Sequence, residues 1–314
     1  MKTVFAFDIG GTAVKFGLVA ESGRLLGQGE VPFERELRFD ALCERLARLY
    51  EHVMEGRRAD ALAVAMPGFA SRESGVVVDG GGNVPALRDG SIAQALGQRL
   101  ALPVWFANDG VAAALGEVRY GAGRALSRFV LITIGTGVGG AVVLDGKPII
   151  GPNGHPPELG AIIVGSDDTG ELLSLEARSS ALAMLQSYGR RTAGTAVSVR
   201  DLFARAEAGE AAAGAAIDAA CHGIAQAAGT LTNALMLEAV MLGGGVSGAG
   251  EALASRVRVL LPAYAWPSLA AKVHIRIAEL GNAAGLLGAA SLAFEGLPAS
   301  THARGAGRWP NSEP

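Results

Sequence analysis

The chain has 314 residues, a formal net charge of −3 at pH 7, half of its residues apolar and 18% charged. That composition excludes global disorder, and the near-neutral balance excludes a strongly basic nucleic-acid binder and argues against a membrane-surface protein. Aromatics at 5% disfavour a stacking platform for single strands, and 45 glycines without a three-residue period exclude collagen while requiring many tight turns or close backbone approaches.

Residues 4–7 read as a strand, Gly10, Gly11 and Thr12 as a turn, and residues 13–20 and 24–31 as two further strands of an antiparallel meander. Phe39, Leu42, Cys43, Leu46, Leu49, Tyr50 and Val53 recur at helical spacing and predict a helix over 39–54. A buried strand over 61–65 is closed by Pro67 and Gly68. Helix is predicted over 91–100, strand over 103–107 and helix over 110–118, with Asn108 or Asp109 near its start. The pattern then restarts, with strand 129–134, a glycine turn 135–140 and strand 141–144. Sliding the first hairpin by 125 positions lays residues 5–10 on 130–135, and each copy is an apolar strand, a glycine turn with a threonine, and a second apolar strand. This points to an internal duplication. Alanine-rich periodic patterns predict helices over 172–187, 199–208 and 210–237. A strand over 238–242 enters Gly243, Gly244 and Gly245, a helix follows to about 261, then a strand over 273–278 and a helix over 283–294. The polar tail 298–314 reads as disordered.

No signal peptide fits the start of the chain, and no uncharged stretch is long enough for a bilayer. Cys43 and Cys221 lie far apart and suit a reducing compartment as small core residues. The expectation is a cytoplasmic protein.

Three glycine turns follow three strands: 8–12, 135–140 and 243–247. Glycine lets backbone N–H groups approach an oxyanion, and threonine adds a hydroxyl donor, so such turns suit a polyphosphate. Two of the strings match G-x-G-x-x-G, but a strand follows the first, and the second lacks a ribose-binding acid anywhere in 252–278, so a dinucleotide fold is disfavoured. Asp8, at the end of a strand beside the first turn, is placed either to hold Mg²⁺, directly or through water, or to cap the turn. Asp109 follows the apolar run 104–107 and is placed either to take a proton from a hydroxyl nucleophile or to N-cap a helix.

The order Asp8-x-Gly10-Gly11-Thr12, Asn108-Asp109, Gly135-Thr136-Gly137-Val138-Gly139-Gly140, Gly243-Gly244-Gly245-Val246-Ser247 and Ala284-Gly285-Leu286-Leu287-Gly288-Ala289 resembles the sugar kinases of the ROK family, over about residues 3–294. The resemblance implies an α/β, two-domain actin-like ATPase fold of the ribonuclease H-like kind, closing over a cleft. The first domain would be 1–118, completed by a C-terminal helix 283–296, and the second 119–282. It implies ATP and Mg²⁺ as cofactors, a hexose or amino sugar as acceptor, and a homodimer. Asp109 would be the general base, Asn83, Asn108, Glu158 and Glu176 would bind sugar hydroxyls, and Asp8 would serve Mg²⁺. Gly10, Gly11, Thr12, Lys15, Gly135, Thr136, Gly137 and Gly139 would hold phosphates, and Gly243, Gly244 and Gly245 would lie near adenosine.

The sequence departs from that family in one stretch. Ala161 stands at the family's histidine, and residues 165–174 contain no cysteine where the family carries a zinc cluster, so no zinc is expected. His155 lies nearby as a candidate substitute, with an ordinary loop histidine the simpler reading, and His222 and His274 read as structural. The family's repressors carry an N-terminal helix-turn-helix, for which the first strand leaves no room. A non-catalytic sugar or nucleotide binder and a polyphosphate-dependent glucokinase are the alternatives.

Overall fold

The computed structural model of the protein describes residues 1–71, 73–167, 169–192 and 198–298, and the chain divides into two units. Of the described residues, those within 1–120, 150–156 and 283–298 form the first, and those within 121–149 and 157–282 form the second. Apart from Pro298, the tail expected to be disordered lies outside the described residues.

The first unit opens with β1 (Thr3–Ile9), β2 (Ala13–Ala20) and β3 (Leu25–Pro32), then α1 (Phe39–Met54) and β4 (Ala61–Met66). A small hairpin of β5 (Phe69–Ala70) and β6 (Val77–Asp79) follows, then α2 (Ile92–Leu100), β7 (Val104–Asn108) and α3 (Asp109–Tyr120). The sheet order is β3-β2-β1-β4-β7, with β1, β4 and β7 parallel. Every residue of β4 is buried, as a central strand covered on both faces requires. Phe5, Phe7, Leu62, Val64 and Met66 pack with Leu42 and Leu46 of α1.

The second unit starts with β8 (Phe129–Ile134), β9 (Val138–Leu144) and β10 (Lys147–Pro148). Next come β11 (Ile163–Ser166), β12 (Leu172–Ser174), α4 (Leu175–Ser179), α5 (Ala181–Thr192), α6 (Val199–Glu207) and α7 (Ala211–Leu235). It ends with β13 (Ala239–Gly243), α8 (Glu251–Leu260), α9 (Pro267–Ala270) and β14 (His274–Ile277). The order β10-β9-β8-β13-β14 repeats that of the first sheet strand for strand, so the resemblance of the two hairpins extends to whole sheets. The last helix, α10 (Ala284–Gly296), returns to the first unit against α3, β1 and β4. Among the described residues, no helix is long and apolar enough to cross a membrane.

Two helices differ from the sequence reading. The span 172–187 is strand β12, then α4, then α5, because two serines restart the backbone. Ser174 accepts from Ala177 N, and Ser180, in extended conformation, accepts from Ala183 N. After Gly243, a 3₁₀ turn (Gly245–Ala249) and Gly250 at φ 58 intervene before α8 begins at Glu251. The third glycine turn therefore does not open directly onto an α-helix N-terminus.

Candidate functional site

In the first unit, Asp8 is the penultimate residue of β1, directly across the hairpin from Lys15. The Lys15 ammonium lies 3.7 Å from Asp8 Oδ2. Burial raises the Asp8 carboxyl above its ordinary value, and Lys15 opposes that shift without cancelling it. On its other side, α10 comes so close that a methyl at Gly285 would lie 2.7 Å from Asp8 Oδ2. Gly285 is in the first turn of that helix, whose partial positive end favours a carboxylate. The turn after β1 is closed by Gly10 N donating to Ala13 O at 2.9 Å. Gly11 packs on Asn83, whose Cβ would be 2.7 Å from any Cβ added there, and Thr12 is exposed. The loop carrying the exposed Asn83 is pinned by two arginines: Arg35 donates to Gly82 O at 3.0 Å and Arg88 to Gly80 O at 2.7 Å.

Asn108 ends β7, and its Oδ1 accepts from Gly110 N at 3.0 Å and Val111 N at 3.2 Å. Asn108 is therefore the N-cap of α3, and the sequence alternative is decided in its favour. Its Nδ2 donates to Gly68 O at 3.2 Å. Asp109 is the first helical residue, exposed, with Oδ1 accepting from Gly110 N at 2.8 Å. Beside Asn108 lies a small pocket lined by Met66, Gly68, Ala70, Phe106 and Gly154. It sits past the carboxyl ends of β4 and β7, where open parallel sheets commonly take ligands. His155, a loop histidine in the sequence reading, lies against Phe69 with ring centroids 4.7 Å apart and the planes tilted by 34°. No local sequence signal marks that pair.

In the second unit, the turn after β8 runs through Gly135, Thr136 and Gly137. Glu176 Oε2 accepts from Val138 N at 2.9 Å, and a methyl at Gly137 would come within 2.4 Å of the same oxygen. Gly160, two residues after Glu158, packs on Val138 O and on Glu176 Cβ. Both glutamates are exposed, and Glu158 Oε atoms lie outside the hydrogen bonds that hold this cluster. Thr133 faces Gly139 across the hairpin. The third turn is brought onto the second, since Gly244, at φ 77, stands with its Cα against the Ile134 backbone. The structure thus gathers Asp8, Gly10, Gly11, Lys15 and Asn83 in one unit and Gly135, Gly137, Glu176 and Gly243 to Gly245 in the other.

Among the described residues, no group of three or more His, Cys, Asp or Glu is arranged to hold a metal ion. A single carboxylate such as Asp8 still fits Mg²⁺, which commonly takes one or two carboxylates and otherwise binds waters and substrate phosphates.

A ROK family profile matches residues 4–295. The chain is 30% identical over 307 residues to a glucokinase from Halalkalibacterium halodurans, covering 90% of this chain and 92% of that protein. It is 31% identical over 291 residues to an N-acetylmannosamine kinase from Yersinia pestis, covering 91% and 96%. A ROK family glucokinase from Streptomyces griseus, solved with glucose and AMPPNP, superposes with a TM-score of 0.81 at 26% identity over 94% of this chain and 100% of its own. A ROK hexokinase from Thermus thermophilus gives 0.75 at 30% identity over 93% and 98%. The chain belongs to the ROK family, and its fold is that of the actin-like ATPases.

Proposed function

We propose that this ROK sugar kinase transfers the terminal phosphoryl group of ATP to a hydroxyl of a hexose or amino sugar, with Asp109 accepting the hydroxyl proton. The observation that carries the reading is the division of labour at the start of α3. Asn108 takes the Gly110 and Val111 amides; Asp109 shares the Gly110 amide through Oδ1, and its side chain remains exposed beside the cap. Exposure lets an incoming hydroxyl reach it. A carboxylate within hydrogen-bond reach of that hydroxyl takes the proton as the oxygen attacks phosphorus, a contribution of about 10²–10⁴ in rate.

Phosphoryl transfer depends on positioning and on neutralising charge. Asn83 and Asn108 in the first unit, and Glu158 and Glu176 in the second, offer donors and acceptors in fixed directions for sugar hydroxyls. Gly10, Gly11, Thr12 and Lys15, and separately Gly135, Thr136, Gly137 and Gly139, offer backbone amides, a hydroxyl and an ammonium to phosphate oxygens. Gly243, Gly244 and Gly245 would carry the nucleoside. Asp8 would hold Mg²⁺, which when bound offsets phosphate charge. The similarity to glucokinases and an N-acetylmannosamine kinase supports the acceptor class.

The test is ADP release from Mg-ATP across a panel of hexoses and amino sugars. Turnover with at least one sugar is expected, and Asp109→Asn should lower kcat by about 10³ while nucleotide binding and Tm persist. Nucleotide binding without turnover of any sugar, or full activity in Asp109→Asn, would overturn the reading.

A further inference from the structure

In the second unit, Arg178 directs its guanidinium to two backbone oxygens on different elements. Nε donates to Ala219 O of α7 at 3.2 Å, and Nη1 donates to Val164 O of β11 at 3.0 Å. The next residue repeats the attachment, with the buried Ser179 Oγ donating to Ala220 O at 2.9 Å. Both side chains reach these carbonyls through space that two glycines leave. A Cβ at Gly223 would lie 2.5 Å from Ser179 Oγ and 3.2 Å from Arg178 Cδ. One at Gly165, where φ is +120, would lie 2.9 Å from Arg178 Nη1. So β11, α4 and α7 are fastened to one another around a single side chain. The five residues of α4 are too few to hold a helix in place by themselves, and its position comes from such partners.

What α4 carries is the second glycine turn. That turn closes on itself through Gly135 N, which donates to Gly137 O at 2.9 Å. Its two ends are held from outside. Glu176 Oε2 accepts from Val138 N at 2.9 Å, and Ala181 N, just past α4, donates to Gly135 O at 2.9 Å. Arg178 and Ser179 lie in sequence between these two attachments. Glycine gives the turn little stiffness of its own, so a shift of α4 becomes a shift of the turn's amides.

We infer that Arg178 is a positioning residue for the second glycine turn. It fastens α4 to α7 and β11, and through Glu176 and the Ala181 amide it fixes where the turn presents its N–H groups to a phosphate. The phosphate step rests on the sugar-kinase reading, and the experiment reads the fastening and the nucleotide separately.

Wild type is compared with Arg178→Met, Arg178→Lys, Gly223→Ala, Glu176→Ala and the double variant Arg178→Met with Glu176→Ala. Methionine keeps an apolar stem beside Gly223 and removes both donors. Amide hydrogen exchange is read at Val138 and Ala181, binding of Mg-AMPPNP without sugar by calorimetry, turnover by ADP release, and folding by Tm. Arg178→Met should speed exchange at both amides and weaken AMPPNP roughly fivefold, with kcat at saturating ATP within about twofold. Arg178→Lys, whose ammonium can serve one of the two carbonyls, should recover part of both. Gly223→Ala, which drives Ser179 and Arg178 off α7, should reproduce Arg178→Met. In the Glu176→Ala background Arg178→Met should cost less affinity than it does alone, because the route through that carboxylate is already cut. A lower Tm with exchange and AMPPNP affinity as in wild type is what a merely structural arginine gives, and it overturns the inference while phosphoryl transfer stands. Fully additive losses in the double variant overturn it as well. If Arg178→Met does not fold, Arg178→Lys carries the same comparison at smaller amplitude. Val138 and Ala181 loosened by Arg178→Met in a protein that binds no nucleotide keeps the fastening and removes the kinase reading.

Discussion

Gly288→Ala tests the packing that places the first unit's candidate site residues. Gly288 lies in α10 where that helix crosses α3. A methyl added there would be 1.6 Å from Ala112 O, 2.5 Å from Ala112 C and 2.8 Å from Gly116 N. All three atoms are backbone, so no rotamer relieves the clash. Ordinary contact begins at 3.4 Å, so the helices would have to separate by about 1.8 Å (from 1.6 to 3.4) at that point. Alanine gains up to about 1 kcal/mol in helix propensity over glycine. Overpacking of this kind costs roughly 3 kcal/mol or more, the upper part of the usual range. The clash therefore wins, with a net loss of about 2 kcal/mol or more. For a unit of this size that lowers Tm by about 6 °C. Under the proposed function the consequence would extend to activity, because α3 begins at Asp109 and α10 sets Gly285 against Asp8. Gly214→Ala in α7 is the control: a methyl there meets nothing within 4 Å, so propensity acts alone and stability should hold or rise by up to about 1 kcal/mol. Thermal unfolding by circular dichroism, with kcat measured well below Tm, reads both. A Gly288→Ala variant as stable as wild type would refute the argument, as would equal losses at both glycines.

Three further outcomes concern the second unit. Gly137→Ala places a methyl within 2.4 Å of Glu176 Oε2, a side-chain end that can move away at the expense of its bond to Val138 N. The KM for ATP should rise roughly threefold to tenfold, the worth of one such bond, with Tm nearly unchanged; an unchanged KM would dissociate that turn from nucleotide binding. In the β11–β12 connection, Asp167 Oδ1 accepts from Thr169 Oγ1 at 2.7 Å, Thr169 N at 2.8 Å and Glu171 N at 2.9 Å. The bond from the Thr169 hydroxyl, first among these, holds the carboxyl below its ordinary 3.8. Because the folded value is the lower one, the stabilisation is fully present above 3.8 and is lost as pH falls through the folded value. Asp167→Asn should speed amide exchange in this hairpin at pH 7, with the difference from wild type fading in acid, and a zinc chelator should leave wild-type Tm unchanged; a chelator-induced drop would reveal a structural metal there.

The glycine turns, Asp8 and the Asn108-Asp109 pair were legible because each is a local string with a local physical reason. The hairpin duplication was legible for the same cause, and it undersold the result, since the likeness continues through β4 and β7 against β13 and β14. What stayed hidden depends on distant partners. Nothing near Glu176 tells that its carboxylate holds the Val138 amide, and nothing near Gly11 announces Asn83. The tilted Phe69–His155 ring contact joins two segments of no regular pattern. Strands of two to four residues, such as β5, β6 and β10, are too short to show a period. The helical span 172–187 misled for a different reason: its apolar spacing survives across Ser180, while the break is made by serine hydroxyls bonding the next turn's amides.

The two copies of the hairpin explain why similar scaffolds carry different chemistry. In the first, Ile9 pairs with Val14, so four residues make the turn; in the second, Ile134 pairs with Val138, so three do. Allowing for that one-residue difference, Asp8 opposite Lys15 corresponds to Thr133 opposite Gly139. One copy holds a half-buried carboxylate with a cation 3.7 Å away, and the other holds a neutral hydroxyl over a glycine that leaves its backbone accessible. A turn made of neutral donors can receive an anion without a counter-ion. A turn bordered by a carboxylate cannot, unless a cation stands between the two negative groups. Lys15 supplies one such charge, and its long contact leaves Asp8 with coordination to spare. Under the proposed function this asymmetry would let one copy serve Mg²⁺ and the other meet phosphate with uncharged donors, since the acid stands on one side only.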